Sequence, residues 1–235
     1  MQFQTPLVPA RLIRRYKRFL ADIVLDDGRE AVAHCANPGA MTGLADEGTA
    51  IWVEPNDDPK KKLDWAWRLV DLPRGGMACI DTALPNRLVA EALAAGRVPG
   101  LAGYDLIRRE VPYGENSRVD FVLSARGRRD AYVEVKAVTL RRHGKLAEFP
   151  DTVTKRGTRH LNELAAMAET GSRAVMLYVV ARSDCAQVTL AGDIDPAYAA
   201  GFRAARAAGV EVLAYGVRIS PRALALGAAL PFADP

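Results

Sequence analysis

Arg118-Val119-Asp120-Phe121-Val122-Leu123 and Tyr132-Val133-Glu134-Val135-Lys136 are two apolar runs, each interrupted by charge, on either side of the polar segment 125–130. Each run has the length of a strand, and the polar segment between them reads as a hairpin loop. Side chains two apart on a strand share a face, so Glu134 and Lys136 project together while Val133, Val135 and Ala137 take the core side. Asp120, on the preceding strand, can meet Glu134 across the hairpin. Two carboxylates converging at a sheet edge form the hard-oxygen site that Mg²⁺ or Mn²⁺ prefers. An ion there polarises a phosphodiester and lowers the pKa of bound water. A neighbouring lysine orients that water or receives the charge that builds on the phosphoryl oxygens. The same residues also fit a solvated sheet face with cross-strand ion pairs. Their placement inside an αβββα order, on otherwise apolar strands, favours the metal reading.

The flanking elements complete that order. Upstream, apolar residues at 88, 89, 92 and 93 mark a helix ended by Gly96. Glu91 flanks its apolar stripe and is a candidate fourth member of the site if the helix covers the sheet; a surface glutamate is the plain alternative. Downstream, a helix over 153–169 carries Lys155, Arg156, Arg159 and His160 near its start. Cations there oppose the helix dipole, and an anionic ligand such as a phosphate backbone would offset that cost. They are equally readable as solvated residues. A buried strand over 173–180, a helix opened by Asp195-Pro196 and a strand over 210–215 follow. Residues 83–235 therefore read as an α/β domain with a mixed sheet.

Residues 1–82 read differently. Five short strand-like runs, at 18–25, 30–35, 49–54, 63–72 and 77–80, are separated by turn signals such as Asp27-Gly28 and Asn37-Pro38-Gly39. An OB-type small barrel is the favoured form, and the pattern alone also fits an SH3-like barrel or a plain sandwich. Trp65 and Trp67 share one strand face and serve either as barrel core or, with Tyr16, as base-stacking surfaces. His34 and Cys35 are adjacent, so a strand points them to opposite faces and they form no catalytic dyad.

Composition bounds the rest. The 235 residues are 49% apolar and 26% charged, which excludes disordered, collagenous and low-complexity classes. Three dispersed cysteines with no CxxC pair exclude a zinc ribbon and a secreted disulfide framework. No apolar stretch is long enough to span a bilayer, and no apolar segment follows the N-terminal cations, so a cytoplasmic location is expected. The net charge of +4 permits an anionic partner without requiring one.

Several stretches together resemble the sugar fermentation stimulation protein A (SfsA) family: Arg18-Phe19-Leu20-Ala21-Asp22, His34-Cys35-Ala36-Asn37-Pro38-Gly39-Ala40-Met41, Asn86-Arg87-Leu88-Val89-Ala90-Glu91-Ala92-Leu93, Tyr113-Gly114-Glu115-Asn116-Ser117-Arg118-Val119-Asp120-Phe121, Tyr132-Val133-Glu134-Val135-Lys136 and Phe149-Pro150-Asp151-Thr152-Val153-Thr154-Lys155-Arg156-Gly157. The resemblance implies an N-terminal OB-like domain and a C-terminal domain similar to PD-(D/E)xK nucleases. It also implies DNA binding and a link to the regulation of sugar metabolism. On that match Asp120, Glu134 and Lys136 correspond to the nuclease core and Glu91 to its helix glutamate. Two positions depart from the family pattern. Ala36 and Pro38 stand in a loop that in the family reads closer to Cys-Pro-Asn-Thr-Gly, and Glu115 is an additional acid.

Two functions follow as expectations. One is a Mg²⁺- or Mn²⁺-dependent DNA nuclease, with Asp120, Glu134 and Glu91 on the metal, Lys136 assisting the attacking water, and Arg156 with Arg159 on phosphate. The other is a non-catalytic, DNA-binding regulator with a vestigial nuclease fold. In both, Arg14, Arg15, Lys17, Arg18, Lys155, Arg156 and Arg159 are the candidate nucleic-acid contacts. A different phosphorylated substrate is a third possibility. A homodimer is expected if both strands of a duplex are cut.

Overall fold

The computed structural model describes residues 1–56, 58–114 and 117–233. Glu115 and Asn116 of the family-like stretch lie outside the described residues.

The chain begins with six strands: β1 (Val8–Tyr16), β2 (Leu20–Leu25), β3 (Glu30–Cys35), β4 (Ala50–Pro55), β5 (Trp65–Asp71) and β6 (Met77–Cys79). Antiparallel pairing runs β3-β2-β1-β4-β5-β6, and a parallel β3–β5 pairing closes the first five strands into a barrel of the OB type. The strand missing from the sequence expectation is β1. Its inward positions Ala10 and Leu12 are buried, while Arg11 and Arg14 face out. Arg11, Arg14 and Arg15 are thus part of a barrel strand, and Lys17 and Arg18 lie in the turn that follows it. Trp67 fills the barrel core with no exposure, its indole N–H donating to the Leu69 carbonyl at 3.0 Å. Trp65 packs partly buried against the same core. Core packing is therefore the role of Trp67, and base stacking on it is excluded by its burial.

A second sheet follows, made of β7 (Leu106–Tyr113), β8 (Ser117–Ser124), β9 (Ala131–Val138), β11 (Arg173–Val180), β13 (Glu211–Ile219) and β14 (Leu224–Ala229). Its strand order is β14-β13-β11-β9-β8-β7. The pairs β9–β11 and β11–β13 are parallel and the others antiparallel, a mixed sheet. Central β11 is apolar along nearly its whole length, as a strand covered on both faces must be. One face is covered by α1 (Leu84–Ala94), the other by α2 (Lys155–Glu169) and α3 (Pro196–Ala207). Thr154 caps α2 by accepting the Gly157 N–H at 3.0 Å, and Asp195 caps α3 by accepting from the Tyr198 N–H at 2.9 Å. A small parallel pair, β10 (Leu146–Phe149) with β12 (Gln187–Leu190), lies beside the main sheet. No helix among the described residues is long and apolar enough to cross a membrane.

The two halves share packing. Leu7, Leu69 and Cys79 belong to the same buried cluster as α1 and the main sheet. Between β6 and the segment after β11, the Cys79 N–H donates to the Ala181 carbonyl at 2.8 Å and the Ser183 N–H to the Met77 carbonyl at 2.9 Å. The barrel loop 36–39 is a second joint. Buried Asn37 accepts the Gly39 N–H at 2.8 Å and donates to the Ile80 carbonyl at 3.0 Å. Asn37 and Gly39 thus hold the loop's shape.

Gly39 itself abuts the α/β domain. A Cβ there would collide with the Asp151 carboxylate, whose Cγ would lie 2.9 Å away. Gly39→Ala is expected to cost about 1–3 kcal/mol through overpacking of this joint. A fall in the urea midpoint with unchanged slope would show it. An unchanged midpoint would mean that Asp151 swings clear freely.

Candidate active site

Strands β8 and β9 pair with Phe121 opposite Val133, so Asp120 and Glu134 form the next opposed position. The ladder ends before it. The Asp120 carboxylate, in place of a backbone carbonyl, accepts the Val135 N–H at 2.7 Å. The strands part there, and the two acids stand at the opening. With β7 beyond β8 and β11 beyond β9, this is the sheet interior rather than the edge expected from sequence.

Glu134 is 3% exposed. Its Oε1 accepts from Lys136 Nζ at 2.7 Å and from His160 Nδ1. Buried His160 receives Arg156 Nε–H on its Nε2 at 3.3 Å, which places the ring proton on Nδ1, facing Glu134. On the other side, Asn86 in the first turn of α1 donates to Asp120 Oδ1 at 2.6 Å. Glu134 Oε2 is buried and has no partner.

The two carboxyls are electrostatically unequal. Burial, and after it the charge on Glu134, pushes Asp120 up to about 6. Burial also pushes Glu134 up, but the His160 hydrogen bond and the Lys136 charge outweigh it and hold Glu134 below the ordinary carboxylate value.

Glu91 does not join them. Its helix lays Leu88, Val89, Ala92 and Leu93 against Val133 and Val135, on the opposite face of β9 from Glu134 and Lys136. Glu91 points away from the sheet, 49% exposed, and pairs with the Met1 ammonium at 2.9 Å and with Arg97 at 3.7 Å. Asn86, earlier on the same helix, supplies the contact expected of Glu91.

The acids line a cleft of about 250 Å³ that Thr82, Asn86, Lys136, Thr154, Arg156 and His160 also wall. A second cleft of about 630 Å³, between the barrel's Arg18 and 37–39 loop and the 149–154 segment, adjoins it; Thr82, Lys136 and Thr154 border both. The remaining basic candidates distribute unevenly. Arg156 and Arg18 line the clefts, while Lys155 and Arg159 are exposed and are not among the lining residues. Arg14 is held by Asp22 at 2.7 Å and lies over the Tyr16 ring. Arg15 is structural: its guanidinium donates to the carbonyls of Arg18 at 3.0 Å and Asn37 at 2.7 Å. Lys17 sits in the β1–β2 turn. Sequence reasoning gave no role to Asn86 and read His160 only as one of the basic residues near the start of α2. The i, i+4 spacing of Arg156 and His160 was the available signal for the latter.

An OB barrel fused to a mixed-sheet α/β domain, with two carboxylates and a lysine at the cleft between strands, defines the class. Residues 13–80 match the SfsA N-terminal OB domain, and residues 83–223 match the sugar fermentation stimulation protein RE domain. The chain belongs to the SfsA family. It is 62% identical over 232 residues to the sugar fermentation stimulation protein homolog of Roseobacter denitrificans, covering 98% of this chain and 99% of that one. To the homolog of Ruegeria pomeroyi it is 64% identical over 222 residues, covering 94% and 96%. The structure of Pyrococcus furiosus SfsA, described as in complex with Ca²⁺, superposes with a TM-score of 0.88 at 28% identity, covering 99% of this chain and 98% of that one.

Proposed function

We propose that the cleft hydrolyses phosphodiester bonds of DNA with a bound divalent cation. The observation that carries this reading is the convergence of Asp120, Glu134 and Lys136 with Glu134 Oε2 left buried and unpaired. A buried anionic oxygen without a partner is costly, and a cation satisfies it. No group of three or more His, Cys, Asp or Glu side chains among the described residues forms a protein-only cage. Two carboxylates suit an ion that keeps several waters, as Mg²⁺ and Mn²⁺ do. The Ca²⁺ of the Pyrococcus furiosus relative supports a divalent ion of that chemistry here. Held by Asp120 and Glu134, the ion would polarise a phosphoryl oxygen and acidify the attacking water.

The chain's own residues supply the rest. Lys136 Nζ places a positive charge beside Glu134, where negative charge develops on the phosphoryl oxygens. His160 holds Glu134 in one orientation. Arg156 and the N-terminal end of α2 face the cleft and favour a phosphate.

A second reading, a DNA-binding regulator that does not cut, draws on Asp120, whose two oxygens are already engaged by Asn86 and Val135. The relatives' shared name, sugar fermentation stimulation, fits a regulatory role under either reading.

DNA incubated with the protein and Mg²⁺ or Mn²⁺ is expected to be cleaved, and EDTA to abolish the cleavage. Salt-sensitive binding without cutting under any metal would overturn hydrolysis in favour of the regulator.

A further inference from the structure

Among the described residues, four buried side-chain polar atoms have no hydrogen-bond partner: Glu134 Oε2, Glu163 Oε2, the Tyr113 hydroxyl and the Ser117 hydroxyl. Orphans of this kind are rare in a folded chain, and each one calls for an ion or a water. These four are neighbours. Tyr113 and Ser117 are cross-strand partners at the turn between β7 and β8. Gly114, next in the chain, lies so close to Glu163 of α2 that a Cβ there would come 3.0 Å from its Cγ and Oε1. The Tyr113 ring stacks on Tyr132 with centroids 6.3 Å apart, and Tyr132 shares one face of β9 with Glu134, two residues on. On α2, His160 holds Glu134 and stands one turn before Glu163 on the same side of the helix.

The electrostatics agree. Burial, and after it the charges on Glu134, Glu163 and Asp120, pushes the Tyr113 phenol far above its ordinary value. The hydroxyl thus stands among carboxylates without meeting any of them at hydrogen-bond geometry. Three acids gather here, and Lys136 is the one ammonium paired with them among the described residues. A trapped water would give the orphaned oxygens a partner and leave the surplus negative charge in place. A cation removes both costs. The donors on offer are hard oxygens: two carboxylates for direct contact and two hydroxyls that suit ion-bound waters, as Mg²⁺ and Mn²⁺ prefer. A carboxylate oxygen has two lone pairs, so Glu134 Oε2 can serve an ion on either side. Glu163 is half-buried, which gives the place a route to solvent along its side chain.

From this gathering of orphaned oxygens we infer a second divalent-cation site, held by Glu134 and Glu163 with the Tyr113 and Ser117 hydroxyls on the ion's waters. Glu134 bridges it to the ion assigned to Asp120 and Glu134. Paired ions clamp the attacking and leaving oxygens of a phosphodiester. That use rests on the hydrolytic reading; the occupancy of the site does not.

Titration of the full chain with Mn²⁺ by calorimetry, without DNA, reads the site directly. The wild type is expected to take up a second ion after the first. Glu163→Gln is expected to lose the second ion and keep the first. Tyr113→Phe, which deletes only a hydroxyl, is expected to weaken the second ion about tenfold. A single ion in the wild type, leaving only water for the orphaned oxygens, would overturn the proposal, as would a second ion bound by Glu163→Gln as tightly as by the wild type. Should Glu163→Gln fail to fold, unchanged second-ion affinity in Tyr113→Phe would overturn it. Single-ion uptake with metal-dependent cutting of DNA would overturn it while leaving hydrolysis standing. A second ion that depends on Glu163, with no cutting under any metal, would support it and sink hydrolysis.

Discussion

Lys136→Ala is expected to slow metal-dependent hydrolysis by about 10²–10³-fold, the usual consequence of deleting one preorganised group that meets transition-state charge. The argument is positional. Lys136 Nζ lies 2.7 Å from Glu134 Oε1, and its side chain is 14% exposed, so solvent does little to replace its charge. Asp120 and Glu134 keep their oxygens in the variant, and Mn²⁺ affinity measured by calorimetry should change far less than the single-turnover rate. Glu134→Gln should lose both, because it removes the oxygen that has no other partner. Lys136→Arg should not rescue the rate: a planar guanidinium does not occupy the site of a compact ammonium. A Lys136→Ala enzyme with wild-type turnover would reduce the lysine to a structural counter-ion of Glu134.

The order of elements in the α/β domain is legible because each run obeys one period. Residues 174–180 are apolar throughout, and Asp195-Pro196 announces its helix by capping chemistry. Three strands escape that reading. Leu146–Phe149 and Gln187–Leu190 have only four residues each, and Leu224–Ala229 is built of alanine, leucine and glycine with no β-branched member. In the barrel, β1 is hidden by its own cations, which suggest an arm although Ala10 and Leu12 alternate with them. At the site, spacing along β9 is enough to put Glu134 and Lys136 on one face, and the structure finds them in contact. Which face α1 covers is a tertiary fact. Nothing local in residues 84–94 tells that the helix packs on the Val133 and Val135 side, which removes Glu91 and admits Asn86.

Asp120→Asn is expected to stabilise the metal-free protein at pH 7 by up to about 3 kcal/mol, at roughly 1.4 kcal/mol for each unit by which the carboxyl lies above its ordinary value. Folding lifts Asp120 from 3.8 to about 6, first through burial and then through the Glu134 charge. Between these values the folded protein holds a proton that the unfolded chain releases. The stability this contributes is complete below about pH 4 and is lost as pH rises through about 6. At pH 7 the free protein therefore carries two ionised, poorly solvated acids side by side. An asparagine removes one charge, and it keeps the local hydrogen bonds if the Asn86 amide turns to present its oxygen: the new carbonyl accepts from Val135 and the new amide donates to Asn86. On the proposed reading a divalent ion reverses the ranking: held by both carboxylates of the folded wild type, it would add about 2.7 kcal/mol at a hundredfold excess over its dissociation constant. The variant, short of one ligand, gains less. Melting curves at pH 5 and pH 7.5, with EDTA and with Mn²⁺, should show the variant ahead at pH 7.5 in EDTA, roughly half that lead at pH 5, and the wild type recovering in Mn²⁺. Equal stabilisation of both proteins by Mn²⁺ would mean that the ion does not rest on Asp120. A variant weaker than wild type in EDTA at pH 7.5 would mean that its hydrogen bonds to Asn86 and Val135 matter more than the charge they surround.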